Sequence, residues 1–360
     1  MLDEKFVDKL LDKSGSVAIV IRERLRPVGG GKSVIFPPTY APDKKSGQEK
    51  SGYNIDPVKD GNRCVIDSVQ SQANRIEAVF LEEPYSKLVP QVIVKAGEKT
   101  VNLLEAAHRL ADAAARFSAL EDEIDAAFGA YMAKGDAEKI AQLSPMSVVF
   151  GAWDSRGTQA KLPRILGSTI FADNVTALTR SSQFNPSFTV DDVDAGKSEE
   201  ELAEKEKEKW SRAGLAHAPG KGAGGVLIHG EIFREAVVNL ITLRHLKASD
   251  KQRSDALRKY ILGLTLVSAT LSQDYDLRSG CQLVQDGKDA SSAKLVFRDG
   301  EESEFSLKHE DALTFAKVAA EKFGVDAKLK ETDFDPKKAQ AYLDEKKDKK
   351  AAKPRSKKSA

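Results

Sequence analysis

Apolar positions alternate with charged ones over Ser16–Leu25 (SVAIVIRERL), a β-branched run that ends in outward-facing arginines, and this period predicts a strand. Shorter apolar runs predict further strands at RCVIDSV from Arg63, RIEAVFL from Arg75 and PQVIVK from Pro90. Leu103, Ala107, Leu110, Ala114 and Phe117 then recur at helical spacing, and Asn102 with Glu105 has the offset of a capping box, so a helix is expected over 103–117. Helices follow around Ala119–Met132 and Asp136–Leu143, and a strand over Pro163–Thr176. The stretch from Gly225 to Leu246 begins as a strand and ends as a helix. SDALRKYILGLTLVSATL from Ser254 is a buried helix, AKLVF and SEFSL form a hairpin, and DALTFAKVAAEKF is an outer helix.

Two stretches interrupt this pattern. Gly29–Asn62 is rich in Pro, Gly and Lys and too long for an ordinary connection, and reads as a functional insertion or a mobile loop; Ala213–Gly225 reads as a second flexible segment, rich in glycine. Mixed strands and helices in this order favour an α+β sheet with decorations over a doubly wound parallel sheet.

Composition narrows the class. With 360 residues, 41% of them hydrophobic, the chain can bury a large core, and residues 1–330 read as one elaborated domain. Acids inside MLDEKFVDKLLDK exclude a signal peptide, and ILGLTLVSATL is too short to span a bilayer, so a cytoplasmic protein without a membrane partner is expected. Cys64 and Cys281 match no disulfide or metal spacing and read as core residues. The net charge of +1 conceals segregation: Asp191–Glu208 is acidic, residues 331–360 form a charged tail expected to be disordered, and the first strand leads into Arg22, Arg24, Arg26 and Lys32.

Enzymatic signatures fail. VGGGKS lacks the glycine a phosphate loop needs at position 26, which is Arg26, and VIFPP follows where a helix should start. The five histidines show neither HExxH nor HxH spacing, and no GxSxG is present, so no catalytic residue, metal or cofactor is assigned. The arginines carry more information. Arg75, Arg156, Arg164, Arg180 and Arg278 stand among Ser, Gly, Pro and Asn, which suits phosphate binding because small neighbours let backbone N–H groups approach. In FGAWDSRGTQAKLPRIL, Arg156 and Lys161 are expected as phosphate ligands and Ser155 and the Gly157 amide as further donors. Trp153 reads as core in preference to a base-stacking ring. Asp154 orients Arg156 or caps the turn, the competing reading being a nuclease metal ligand.

DSVQSQANRIE from Asp67, AHRLADA from Ala107, FGAWDSRG from Phe150, TALTRSSQF from Thr176, EIFREAVVNLITLRHL from Glu231 and LRSGCQL from Leu277 resemble, in order, the repeating backbone subunit of type I-G (formerly type I-U) CRISPR surveillance complexes, of the repeat-associated RNA-binding superfamily. The resemblance covers roughly Val17–Phe297. It implies an RNA-recognition-motif-like (ferredoxin-like) core with inserted finger and thumb elements, Gly29–Asn62 being the first choice for the thumb and Ser181–Gly225 the second. It further implies a non-catalytic subunit that polymerises along a CRISPR guide RNA, its partners being the guide, target DNA through the guide, copies of itself and other subunits of the complex. A protein that accepts any guide should grip sugar and phosphate and leave base edges free. The expected RNA ligands are Arg22, Arg24, Lys32, Gln72, Asn74, Arg75, Ser155, Arg156, Gly157, Lys161, Arg164, Arg180, Lys221 and Arg278. Sparse aromatics (7%) argue against base stacking on the sheet. A stand-alone RNA-binding or scaffold protein remains the alternative.

Overall fold

The computed structural model describes residues 2–13, 15–40, 52–194, 196–288 and 290–351, with the side chains of Lys221 and 345–351 left undescribed. The alternation at the start of the chain becomes strand β1 (Ala18–Pro27), with Ile19, Ile21, Glu23 and Leu25 turned inward and Arg22, Arg24 and Arg26 outward. Helix α1 (Val69–Val79), strands β2 (Leu166–Asp173) and β3 (Ile232–Asn239) and helix α2 (Lys251–Thr270) follow. The last strand is split into β4 (Cys281–Gln285), which pairs with Leu25–Pro27, and β5 (Ser291–Val296), which pairs with Ala18–Glu23. Across the sheet the order is β4/β5, β1, β3, β2, and every pairing is antiparallel. This is the βαββαβ order of an α+β ferredoxin-like sheet, as expected.

Ile19 and Ile21 lie with Ala73 and Ile76 of α1, Ala236 and Val238 of β3, and Ile261 and Leu264 of α2 in one apolar cluster. On the same inner face is a buried ion pair: Arg234 Nε donates to Glu23 Oε2 at 3.0 Å, and Tyr275 and Gln285 also donate to that carboxylate. A charge pair removed from water needs its remaining lone pairs satisfied, and here Gln285 of β4 and Tyr275, ahead of β4, supply the further donors.

Three insertions decorate this core. Before α1, a hairpin (Ile55–Val58 and Gly61–Asp67) extends the sheet beyond β2. Between α1 and β2, helices Glu121–Lys134, Glu138–Leu143 and Pro145–Val149 share the main core through Phe128, Ile140 and Met146. Between β2 and β3 runs a long hairpin, Val175–Phe184 with Ala218–Ile228, which carries the acidic segment and short helices at its far end. Val34–Ile35, from the first candidate thumb, pairs with Leu227 and Val226 of that hairpin, whose far part falls in the second candidate, so both candidates contribute to one small sheet. Residues 41–51 of the first lie outside the described residues.

Several expectations need correction. Arg75–Leu81 is not a strand: Ser68 caps α1 by accepting from Ser71 N, and Ala73, Ile76 and Phe80 recur at helical spacing. The helix over 103–117 is absent. Asn102 and Glu105 do bond around that turn, but Arg109 adopts φ +54° and leaves only a 3-10 turn and the one-turn helix Ala113–Arg116. Most of Ala213–Gly225 is strand, because Val175–Phe184 pairs with it. The tail begins with ordered elements, since Leu329–Asp333 pairs in parallel with Gln91–Ala96 and Pro336–Ala351 is helical; residues 352–360 lie outside the described residues. No helix among the described residues is long and apolar enough to cross a membrane.

Helix α2 is crossed closely by the helix His309–Phe323, with Tyr260 stacked on Phe323 at 4.9 Å. A Cβ on Gly263 would lie 2.8 Å from Ala316 Cα. Gly263→Ala should therefore lower stability by about 1–3 kcal/mol through overpacking, read as an earlier denaturant midpoint at unchanged slope.

Candidate nucleic-acid interface

The outer face of the sheet, opposite both core helices, carries the first group of cations. Register places Arg24 beside Phe233 of β3, and Phe233 beside Phe171 of β2. The two rings lie 5.9 Å apart. Arg22 pairs with Glu235 at 2.6 Å and stands 5.3 Å over the Phe233 ring. Arg63 holds Asp173 through two bonds, of 2.6 and 3.1 Å, and stands 5.3 Å over Phe171 and 5.1 Å over Phe233. The hydrogen bond to Asp173 raises the Arg63 pKa above its ordinary value. These guanidinium groups cap the rings, and Phe233 is only 7% exposed. Arg24 is exposed and has no ion-pair partner among the described residues.

The second group surrounds the stretch FGAWDSRGTQAKLPRIL from Phe150, which forms a two-stranded hairpin, Ala152–Trp153 with Lys161–Leu162. Its turn is built by Asp154, which is wholly buried and accepts from Gly157 N (3.2 Å), Thr158 N (2.7 Å) and Thr158 Oγ1 (2.8 Å). Asp154 therefore caps the turn, and its ion-pair partner is Arg116, at 3.4 Å, instead of Arg156. Gly157 is required for contact: a Cβ there would sit 1.7 Å from Arg116 Nη2.

Below the hairpin lies the Glu77–Arg109 pair, bidentate at 2.7 Å for both bonds and buried on both sides. Burial pushes the Glu77 carboxyl up to about 7, with the Arg109 guanidinium pulling the other way. Arg109 Nη1 also donates to Gly151 O at 3.1 Å, which fixes the start of the hairpin. Gly151 has φ +78°, and a Cβ there would meet Leu162 O at 2.9 Å. A cleft of about 530 Å³ opens above, lined by Gln70, His108, Arg109, Trp153, Lys161 and Arg164 among others.

The fourteen expected ligands separate in space. Lys161 and Arg164 converge on the cleft, with Asn74 nearby, accepting from Gln70 at 3.0 Å. Arg164 donates to Phe150 O, and burial beside Arg109 lowers its pKa. Arg22 and Arg24 share the outer sheet face. Arg180 is exposed on the long hairpin, Lys32 is exposed on the loop after β1, and Arg278 is exposed while donating to Pro37 O. Lys221 lies on the strand paired with Ser181, its side chain outside the described residues.

Four positions are corrected. Gln72 is fully buried and bonded to Asp67 and Ser168, so it supports the core. The Gly157 amide is already taken by Asp154. Arg75 is partly buried and ties α1 inward through Asp67 and Leu277 O. Trp153 is 55% exposed, with Lys161 Nζ 4.9 Å from its ring centroid, and is not core. Arg156 is half-buried, with a long bond of 3.4 Å to Ala111 O, and Ser155 is half-buried beside it. Arg63, Phe171 and Phe233 escaped the sequence reading because only strand register brings them together. Among the described residues no group of three or more His, Cys, Asp or Glu side chains is placed to hold a metal ion.

Residues 19–177 match the family model described as CRISPR-associated protein GSU0053. The matched span runs from β1 through the cleft to the start of the long hairpin, and over it the chain is similar to a CRISPR-associated protein family. No curated protein matches the chain. Since Asp154 is the buried partner of the turn and of Arg116, Asp154→Ala should destabilise the fold by about 3–5 kcal/mol, read as an early melting transition. A variant of unchanged stability would show that the carboxylate has another task.

Proposed function

Because residues 19–177 carry the match to a CRISPR-associated family, we propose that the chain is a non-catalytic, guide-RNA-binding subunit that polymerises along the RNA of a type I-G effector complex. The observation that carries this reading is the outer sheet face, where Arg22, Arg24 and Arg26 project from one strand beside Arg63. Guanidinium groups spread over a sheet suit successive phosphates and offer no pocket for a particular base. The cleft at Lys161 and Arg164 extends the cationic surface. The guide, held by its backbone, keeps its base edges for target DNA, and further copies and other subunits of the complex complete the assembly.

Polymerisation along RNA requires two different complementary surfaces and a head-to-tail contact, which does not close into a dimer. The acidic far end of the long hairpin, where Asp191 through Glu208 is largely exposed, is one surface suited to meet a cationic neighbour.

Purification by a tag on this chain, expressed with its genomic neighbours, should recover short CRISPR RNAs of uniform repeat and varied spacer. Complexes of fixed mass regardless of RNA length would contradict the polymer. Arg24→Ala and Lys161→Ala should each weaken RNA binding by about 1–3 kcal/mol and lower the salt slope by about one, at unchanged melting temperature. Scrambled RNAs of equal length should bind alike, and the RNA should stay intact with or without divalent metal. Cleavage that survives repurification would sink the non-catalytic assignment.

A further inference from the structure

Trp153 leaves more than half of a large apolar ring in water, 55% exposed, although burying an aromatic side chain is favourable. No other aromatic ring packs on it among the described residues. The indole is nevertheless held in place. Its strand is paired with Lys161, whose ammonium stands 4.9 Å from the ring centroid, and the turn beyond is fixed by buried Asp154. The ring also lines the cleft with Gln70, His108 and Arg164. Gln70 Nε2 is engaged by Asn74 Oδ1 and Ala107 O, which fixes this side chain at the cleft wall.

A positioned, exposed indole flanked by two cations is the combination that binds single-stranded nucleic acid: the ring takes the face of a base and the cations take adjacent phosphates. Phe171 and Phe233 cannot serve in this way, because Phe233 is buried and Phe171 half-buried beneath guanidinium groups, whereas Trp153 stays largely exposed with the Lys161 ammonium over its ring. We propose that Trp153 is a stacking platform for one unpaired base of the bound RNA, with Lys161 and Arg164 on the neighbouring phosphates. This rests on the RNA-binding reading above and adds a base contact to it. Every base has a stackable face, so the contact leaves binding tolerant of sequence.

The chain has two tryptophans, so Trp210→Phe leaves Trp153 as the sole indole reporter. In that background, a mixed-sequence single-stranded RNA should quench the indole emission, whereas an abasic sugar–phosphate chain of equal length should bind without quenching. Trp153→Ala should weaken RNA binding about tenfold with the salt slope unchanged, and Trp153→Phe should restore most of it, both variants keeping the parent melting temperature. Parent affinity in Trp153→Ala together with unquenched emission would overturn the stacking site while leaving the RNA-binding reading intact. Absence of RNA binding by the parent protein would overturn both.

Discussion

The arrangement of the cleft depends on one buried contact, the bidentate pair between Glu77 on α1 and Arg109 in the helical insertion. It joins the ferredoxin-like core to the inserted segment. The same guanidinium reaches Gly151 O and lies 5.4 Å over Phe150, so it also sets where the Trp153 hairpin begins. Leaving either charge buried alone is costly, and that cost holds Arg109 at a left-handed φ that would otherwise be disfavoured. The strain and the pair belong together: the φ of +54° turns the chain so that the side chain points into the core.

Charge is divided between the two faces of the sheet in a consistent way. Inside, Glu23 accepts from Arg234, the Tyr275 hydroxyl and the Gln285 amide, Arg234 donates also to Ala269 O, and Arg244 stays buried by donating to Leu10 O and Ser16 O. Outside, the arginines of β1 keep at least part of their charge toward solvent. The inner pairs fix strand register, and register in turn decides which arginines emerge together. A slip of one residue would send Arg22 and Arg24 into the core, so the cationic face and the apolar core are specified by the same alternation.

Much of the fold was legible in that alternation. β1, the buried helix from Ser254 and the helices after Ala119 follow their apolar periods because those segments have a single apolar face or are apolar throughout. The errors arose where a distant partner overrode a local period. Residues 103–117 have helical spacing, but the Glu77–Arg109 pair bends the chain; Ala213–Gly225 has loop composition, but the opposing arm at Val175–Phe184 supplies its hydrogen bonds. At the candidate site the cationic residue types were legible and their exposure was not. Gln72 and Gly157 look like polar ligands in sequence and are consumed by Asp67, Ser168 and Asp154, whereas Trp153 looks like core and faces solvent.

The strand Leu329–Asp333 closes a small sheet against Gln91–Ala96, and Lys95 Nζ reaches Glu331 across 236 positions of sequence. Synthesis is vectorial, so the helical insertion that bears the cleft leaves the ribosome long before its closing strand exists. During that interval Gln91–Ala96 presents an open edge, a template for mispairing with a second nascent chain. Parallel pairing over so long a separation is also slow, since the intervening loop must be closed before its contacts gain anything. The small sheet of the insertion thus closes last, after the core sheet, and a chain ending before residue 329 would have a formed core and an unsealed insertion.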